Sequence, residues 1–387
     1  MATGEQSGVK RRIDDIEILR AFAVILVVVE HMQFNLFHWN TPALKSFYEY
    51  YGGWTGVDLF FAISGFVIAR DLVPKLHSAG SRANYFHRTL IFWVRRFWRL
   101  IPSAWAWLTL IFLASVFFNS SGAWGTVSNN AEAVLFALLQ VANFYIAHVF
   151  GQEFSGAAFV YWSLSLEEQF YLLLPLLVFI SGRKLSYILV FSVLVQIFLP
   201  RDTALLALVR TDALFLGVLI ALWAQHPSYR LFKPRFLAHP MAALAFLVLS
   251  LLALACVGSE TLRIVASPYG LVAVISALLV FVASYDQDYF ARTRWIKVLL
   301  LWVGTRSYAL YLIHMPSYLL TREIWFGLEP AGTRFNTQYT YQFLATALAL
   351  LLVLSELNYR IIETPFRRRG VALARSMAAR RGGNEVE

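Results

Sequence analysis

The chain has 387 residues, 59% of them hydrophobic and 14% charged. A soluble domain is about 45–50% apolar and about 25% charged, so the composition excludes a soluble globular protein and fits a polytopic membrane protein. The net charge of +10 sits in short loops and tails beside apolar runs, a pattern that reads as membrane topology and contact with anionic membrane lipids, with no nucleic acid partner. Cys256 is the only cysteine, which excludes an intrachain disulfide and a cysteine-based metal site; no metal is expected.

A membrane crossing needs roughly 20 mostly apolar residues. In chain order the candidate runs are 16–37, 56–73, 101–118, 131–150, 161–181, 185–200, 208–225, 239–257, 268–285, 298–318 and 341–361. Lys10, Arg11 and Arg12 precede the first run like the start of a signal peptide. Arg20, Glu30 and His31 interrupt that run, and no small-residue cleavage site follows a clean apolar core, so it reads as a retained helix. Basic clusters at 10–12, 75–99, 183–184, 230–235, 292–297 and 367–381 belong on the cytoplasmic side. Crossing at every run cannot satisfy them all. The run 131–150, broken by Glu132, Gln140, Asn143 and His148, is therefore expected to be re-entrant or on the surface. The expected fold is an all-α polytopic membrane protein with about ten transmembrane helices and both termini cytoplasmic. It divides into a tail at 1–15, a transmembrane domain at 16–362 and a basic tail at 363–387.

Ionisable groups inside these runs are costly unless paired, and mark a working site. His31 lies eleven residues beyond Arg20, roughly 16 Å further along a helix. Following the topology, His31, Asp58, Glu167, Glu168, Asp212 and His314 are expected at one level in the outer half. Only one of Glu167 and Glu168 is expected to face that chamber. Asp58 and Asp212 also read as structural partners of Arg210 or of helix N-terminal amides. Arg20, Arg70, Arg95, Arg96, Arg99, Arg306 and Arg360 fall near inner ends. Arg96 and Arg99 share a helix face, and guanidinium forks suit phosphate oxygens, although single inner arginines also serve as ordinary topology signals. A phosphorylated donor suits the basic inner mouth, and a hydroxyl awaiting deprotonation suits the outer chamber. The same groups also suit a proton relay in a transporter, against which stands the absence of an evident internal repeat. Ser64, Gly65 and Gly217 read as small residues for close helix packing.

Six stretches, taken in order, resemble the membrane acyltransferase-3 family. They are Leu19 to His31, Gly56 to Phe66, Arg96 to Pro102, Trp162 to Tyr171, Arg210 to Gly217 and Ser307 to His314. The resemblance covers residues 13 to about 368. It implies a bacterial inner-membrane enzyme that moves acetyl or another short acyl group from acyl-CoA to a hydroxyl. The acceptor would be a sugar of lipopolysaccharide O-antigen, exopolysaccharide, nodulation factor, peptidoglycan or a macrolide. It implies a functional His31 and a donor-binding Arg96 and Arg99, with Arg20 beside them. Glu167 would orient His31, and Asp58 joins them as a catalytic candidate. Glu30, Trp162, Ser163, Glu168, Asp212 and His314 would meet the acceptor. Glu30 stands where many relatives have Tyr. Some relatives add an extracytoplasmic esterase-like domain; the chain ends soon after its last apolar run, so none is expected here.

Overall fold

A computed structural model describes residues 12–151, 156–259, 261–262 and 267–383. Among these the fold is helical, with no strand and one isolated bridge between Gln33 and Phe37. The helices are α1 (Asp14–Glu30), α2 (Pro42–Glu49), α3 (Thr55–His77), α4 (Arg82–Phe117), α5 (Val127–Leu138), α6 (Ala142–Val149), α7 (Tyr161–Ser181) and α8 (Leu185–Phe198). They continue as α9 (Ala204–Leu208), α10 (Asp212–Trp223), α11 (Pro240–Val257), α12 (Pro268–Ala283), α13 (Arg294–Thr305), α14 (Ser307–Leu328), α15 (Thr340–Asn358) and α16 (Thr364–Gly383). Most of the expected N-terminal tail lies outside the described residues. The expected basic C-terminal tail is the helix α16, packed along α4.

Five helical stretches are long and apolar enough to cross a membrane, or six if α13 and α14 count as one. Two helices that fail this test, α1 and α3, are largely surrounded by protein. α1 has only 17 residues and carries Asp14, Asp15, Glu17, Arg20 and Glu30. α3 is buried over most of its length against α1, α10 and α12. Lipid does not set their composition, because they face side chains. Gly65 and Gly217 let α3 and α10 touch backbone to backbone. A Cβ on Gly65 would lie 2.0 Å from the Leu214 carbonyl oxygen, and one on Gly217 would lie 2.1 Å from that of Ala62.

Two expectations about single segments meet breaks. The run 131–150 divides into α5 and α6 at Gln140, whose φ is +59°. Gln169 of α7 closes this break, its side-chain amide donating to the Gln140 carbonyl and to Asn143 Oδ1, each at 2.9 Å. The run 298–318, read as one span, is instead bent by 71° between α13 and α14. Arg306 sits at the bend, held by Glu356 through two bonds of 2.5 and 3.2 Å and stacked on Trp302 and Tyr359. The stretch 75–99, expected as a cytoplasmic basic cluster, is mostly helix: α4 runs for 36 residues, about 54 Å, so it outreaches a bilayer core of about 30 Å.

Candidate active site

His31 occupies the C-terminal cap of α1. The last carbonyls of a helix lack intrahelical partners, and here tyrosines crowd that end. Tyr51 donates to Leu26, Tyr318 to Val28 and Tyr48 to Val29, at 2.9, 2.6 and 2.9 Å. Glu30 accepts from the backbone N–H of Gly53 at 2.7 Å, and Asn35 donates to the carbonyl of His31 at 2.9 Å. Burial, and then the Glu30 carboxylate, push the Tyr48 phenol up to about 12, so it remains a donor at neutral pH. The backbone beneath His31 is thus fixed from three directions. Glu30, expected to meet the acceptor, serves as an anchor in this arrangement.

The imidazole of His31 faces that of His314. Its Nδ1 lies 2.8 Å from His314 Nε2, and the rings meet edge to edge, their centroids 5.0 Å apart and their planes within 12° of parallel. His314 Nδ1 lies 2.7 Å from the carbonyl oxygen of Tyr311. A carbonyl only accepts, so His314 carries its hydrogen on Nδ1 and offers a lone pair at Nε2. His31 must then donate from Nδ1, which leaves its Nε2 with a free lone pair. One backbone carbonyl thereby sets the tautomer of both rings. The arrangement fits a base or nucleophile at His31 Nε2 whose cation is stabilised through His314.

The orientation of His31 by Glu167 that the sequence suggested gives way here, because the imidazole meets another imidazole. Glu167 lies in a separate cavity of about 670 Å³, lined by Arg20, Arg96, Arg99, Ser64, Tyr171 and Tyr308 among others. Ser64 and Tyr171 both donate to Glu167 Oε1. Arg96 stacks on Tyr171 at 5.3 Å and on Phe92 at 5.6 Å, and Arg20 donates to Glu17 at 2.8 Å. α7 is held against α4 here by a consequence of Pro175. A proline has no N–H for the carbonyl four residues earlier, and Trp93 of α4 donates to that carbonyl, on Tyr171, at 3.0 Å. Glu168 does not line the cavity.

Tyr311 joins the cavity to the histidines. Its phenol, 2.6 Å from Ser163 Oγ, lines the cavity, while its carbonyl holds His314. At the other end Arg96 and Arg99 line a second cavity of about 1030 Å³ between α4 and α16. Arg96 and Arg99 therefore line both spaces, and Ser163 and Tyr311 line only the inner one.

Asp58 and Asp212 stand apart from both groups. Asp58 takes two bonds from Arg210, at 2.8 and 2.7 Å, and is fully buried. Arg210 is boxed by Trp54, Trp162 and Tyr269 at 5.0 to 5.5 Å. Asp212 pairs with Arg201 at 2.6 Å. The single level of acids and imidazoles is therefore three places: a histidine pair, a carboxylate among arginines, and two buried ion pairs. The reason is topological, since α3 and α10 turn their acids toward Arg210 and Arg201, which flank the short helix α9. Trp162, expected to meet the acceptor, is a wall of the Arg210 box. Tyr311, Tyr171, Gln169 and Arg201 escaped the sequence reading. Spacing signals were present for two of them: Tyr311 is three residues before His314, and Tyr171 four after Glu167, so each pair shares a helix face. Among the described residues no group of three or more His, Cys, Asp or Glu is placed to hold a metal.

The fold defines an all-helical protein with several stretches able to cross a membrane. The chain belongs to the acyltransferase-3 family, whose acyltransferase domain matches residues 13–361. It is 27% identical to the peptidoglycan O-acetyltransferase OatA of Listeria monocytogenes, over 93% of this chain and 57% of that protein. A putative O-acetyltransferase of Staphylococcus aureus strain COL is 27% identical over 93% of this chain and 58% of its own length. A putative peptidoglycan O-acetyltransferase of Bacillus subtilis, YrhL, is 27% identical over 93% and 56%. The chain thus spans a little over half the length of these relatives. No solved structure matches.

Proposed function

We propose that the chain transfers an acyl group, acetyl first among them, from cytoplasmic acyl-CoA to a sugar hydroxyl of a cell-surface glycan. The relatives named for peptidoglycan make that glycan, or one like it, the first acceptor to try. The reading places the protein in a bacterial inner membrane with about ten crossings, α1 and α3 among them, sheathed by other helices. The observation that carries it is a basic mouth and a polar cavity that share Arg96 and Arg99, with Tyr311 lining the polar cavity while its carbonyl sets the histidine tautomers.

In this account Arg96 and Arg99 bind the donor's diphosphate, and the pantetheine arm crosses the inner cavity toward Ser163 and Tyr311. His31 Nε2 takes the proton of the acceptor hydroxyl as its oxygen attacks the thioester carbonyl. The C–S bond breaks, CoA leaves as the thiolate, and the proton passes from His31 to the departing sulfur. The imidazolium that forms in between donates from Nδ1 to His314 Nε2. Glu167, with Ser64 and Tyr171, gives the cavity a fixed negative group that balances the arginines. The same lone pair serves a covalent route, in which Nε2 attacks the thioester and carries the acyl group before passing it on.

The test is release of label from acetyl-CoA by purified protein, wild type against His31→Ala, with peptidoglycan fragments as acceptor. Turnover that disappears in a folded variant is the expected result, and retained turnover removes His31 from the chemistry. Label left on wild-type protein after a quench would select the covalent route.

A further inference from the structure

We propose that the outer cavity between α4 and α16 holds the 3′-phosphorylated ADP head of the donor, with Arg95 and Arg367 clamping the ribose 3′-phosphate from two helices. The proposal rests on the acyl-CoA reading and adds a second phosphate subsite, on the C-terminal helix.

The first argument is charge. Arg95, Arg96 and Arg99 take part in no ion pair among the described residues, yet all three line this cavity. Arg367 lines it too, and its carboxylate neighbour, Glu363, is 3.9 Å away. The other two cations of the rim are already engaged. Lys75 bonds both oxygens of Asp71 at 2.8 and 2.9 Å. Arg88 donates to the Lys75 carbonyl and to Ser78 Oγ. The cations left for a ligand are therefore Arg96 and Arg99 on the inner side, and Arg95 and Arg367 outside them. Guanidinium groups converging on one cavity fit a polyanion, which binds them through paired N–H forks.

The second argument is order. Arg96 and Arg99 line both cavities, whereas Arg95 and Arg367 line only the outer one. The donor's pantetheine arm is joined to its diphosphate, and the 3′-phosphate lies beyond that, on the ribose. A donor whose arm enters the inner cavity therefore sets its diphosphate at the inner arginines and its 3′-phosphate at the outer ones.

The third argument is rigidity. A π-helical turn, Tyr359–Glu363, joins α15 to α16, and such turns re-aim the helix that follows. Phe366 stacks on Trp98 of α4 at 5.7 Å and 14°. Gly370 sits so close to the same tryptophan that a Cβ would lie 2.4 Å from its Cβ. Arg367 lies between these two contacts, so α4 fixes the helix that carries it. A basic segment serving only as a topology signal has no need of this fit.

The experiment is equilibrium binding of CoA and of dephospho-CoA, which lacks the 3′-phosphate, to full-length protein in detergent. Wild type is compared with Arg367→Gln and Arg95→Gln. Wild type should prefer CoA, and each variant should lose about tenfold in CoA affinity, the value of one charge-assisted bond, with dephospho-CoA affinity unchanged. Equal losses for both ligands, no loss for either, or a wild type that binds both alike would overturn the subsite. A wild type that binds neither would overturn the acyl-CoA reading, and the subsite with it. Arg95 has no structural ion pair to lose, so its variant separates lost contact from lost fold.

Discussion

At the scale of single residues, the tautomer chain from Tyr311 to His31 is the part of the site with the least freedom. Removing His314 leaves His31 Nδ1–H without its acceptor and its cation without a neighbour. His314→Ala should therefore lower kcat by about 10² to 10⁴ with little change in KM for the donor, the pattern of a group that assists a general base. Steady-state kinetics would decide it, and an unchanged kcat would separate His314 from the reaction. Asp58 and Arg210 make an opposite claim. A buried ion pair broken on one side costs about 3–5 kcal/mol, whereas a matched apolar replacement of both partners is often neutral. Asp58→Leu should melt well below wild type in detergent, and Asp58→Leu with Arg210→Met should recover much of the loss. A stable but inactive Asp58→Leu would restore this residue to the chemistry the sequence suggested.

Among the helices, the close crossing of α3 and α10 and the break at Gln140 set the positions of everything else. Gly65→Ala puts a methyl group into the Leu214 carbonyl, and helices packed backbone to backbone have no side chain that can yield. Overpacking of this kind costs about 1–3 kcal/mol or more, which a thermal melt would register; an unchanged midpoint would mean the crossing is looser than described. The break between α5 and α6 was legible because Glu132, Gln140, Asn143 and His148 spoil an apolar run. The bend at Arg306 was not, because residues 298–318 are apolar on both sides of it. The residue that holds Arg306 at the bend, Glu356, lies 50 residues further on. The shared face of Arg96 and Arg99 followed from their spacing of three. The pairing of His31 with His314 could not follow from spacing, since 283 residues separate them. Charge and period report on neighbours along a helix, and say little about which helix supplies the partner. The partner of Asp58 was an exception, since Arg210 is the structural partner that the sequence offered for it, whereas the bonds of Glu167 to Ser64 and Tyr171 were not foreseen.

For the whole molecule, arginines of the long helix α4 and of α16 meet at the outer cavity. A polyanionic donor drawn to such a mouth should bind less tightly as salt rises, because exposed charges are screened beyond about 10 Å at 0.1 M. Donor affinity measured across an ionic-strength series should fall steadily, and an affinity indifferent to salt would contradict a phosphate-led entry. The central claim is directional: the donor enters at the basic mouth on the cytoplasmic face and reaches His31 through the cavity behind Arg96 and Arg99. The most direct test supplies labelled acetyl-CoA to sealed membrane vesicles of known orientation containing the protein. Inside-out vesicles, which present the cytoplasmic face, should release label, right-side-out vesicles should not, and Arg99→Ala should raise the donor concentration that inside-out vesicles need. Equal release from both orientations, or release only from right-side-out vesicles, would contradict the account.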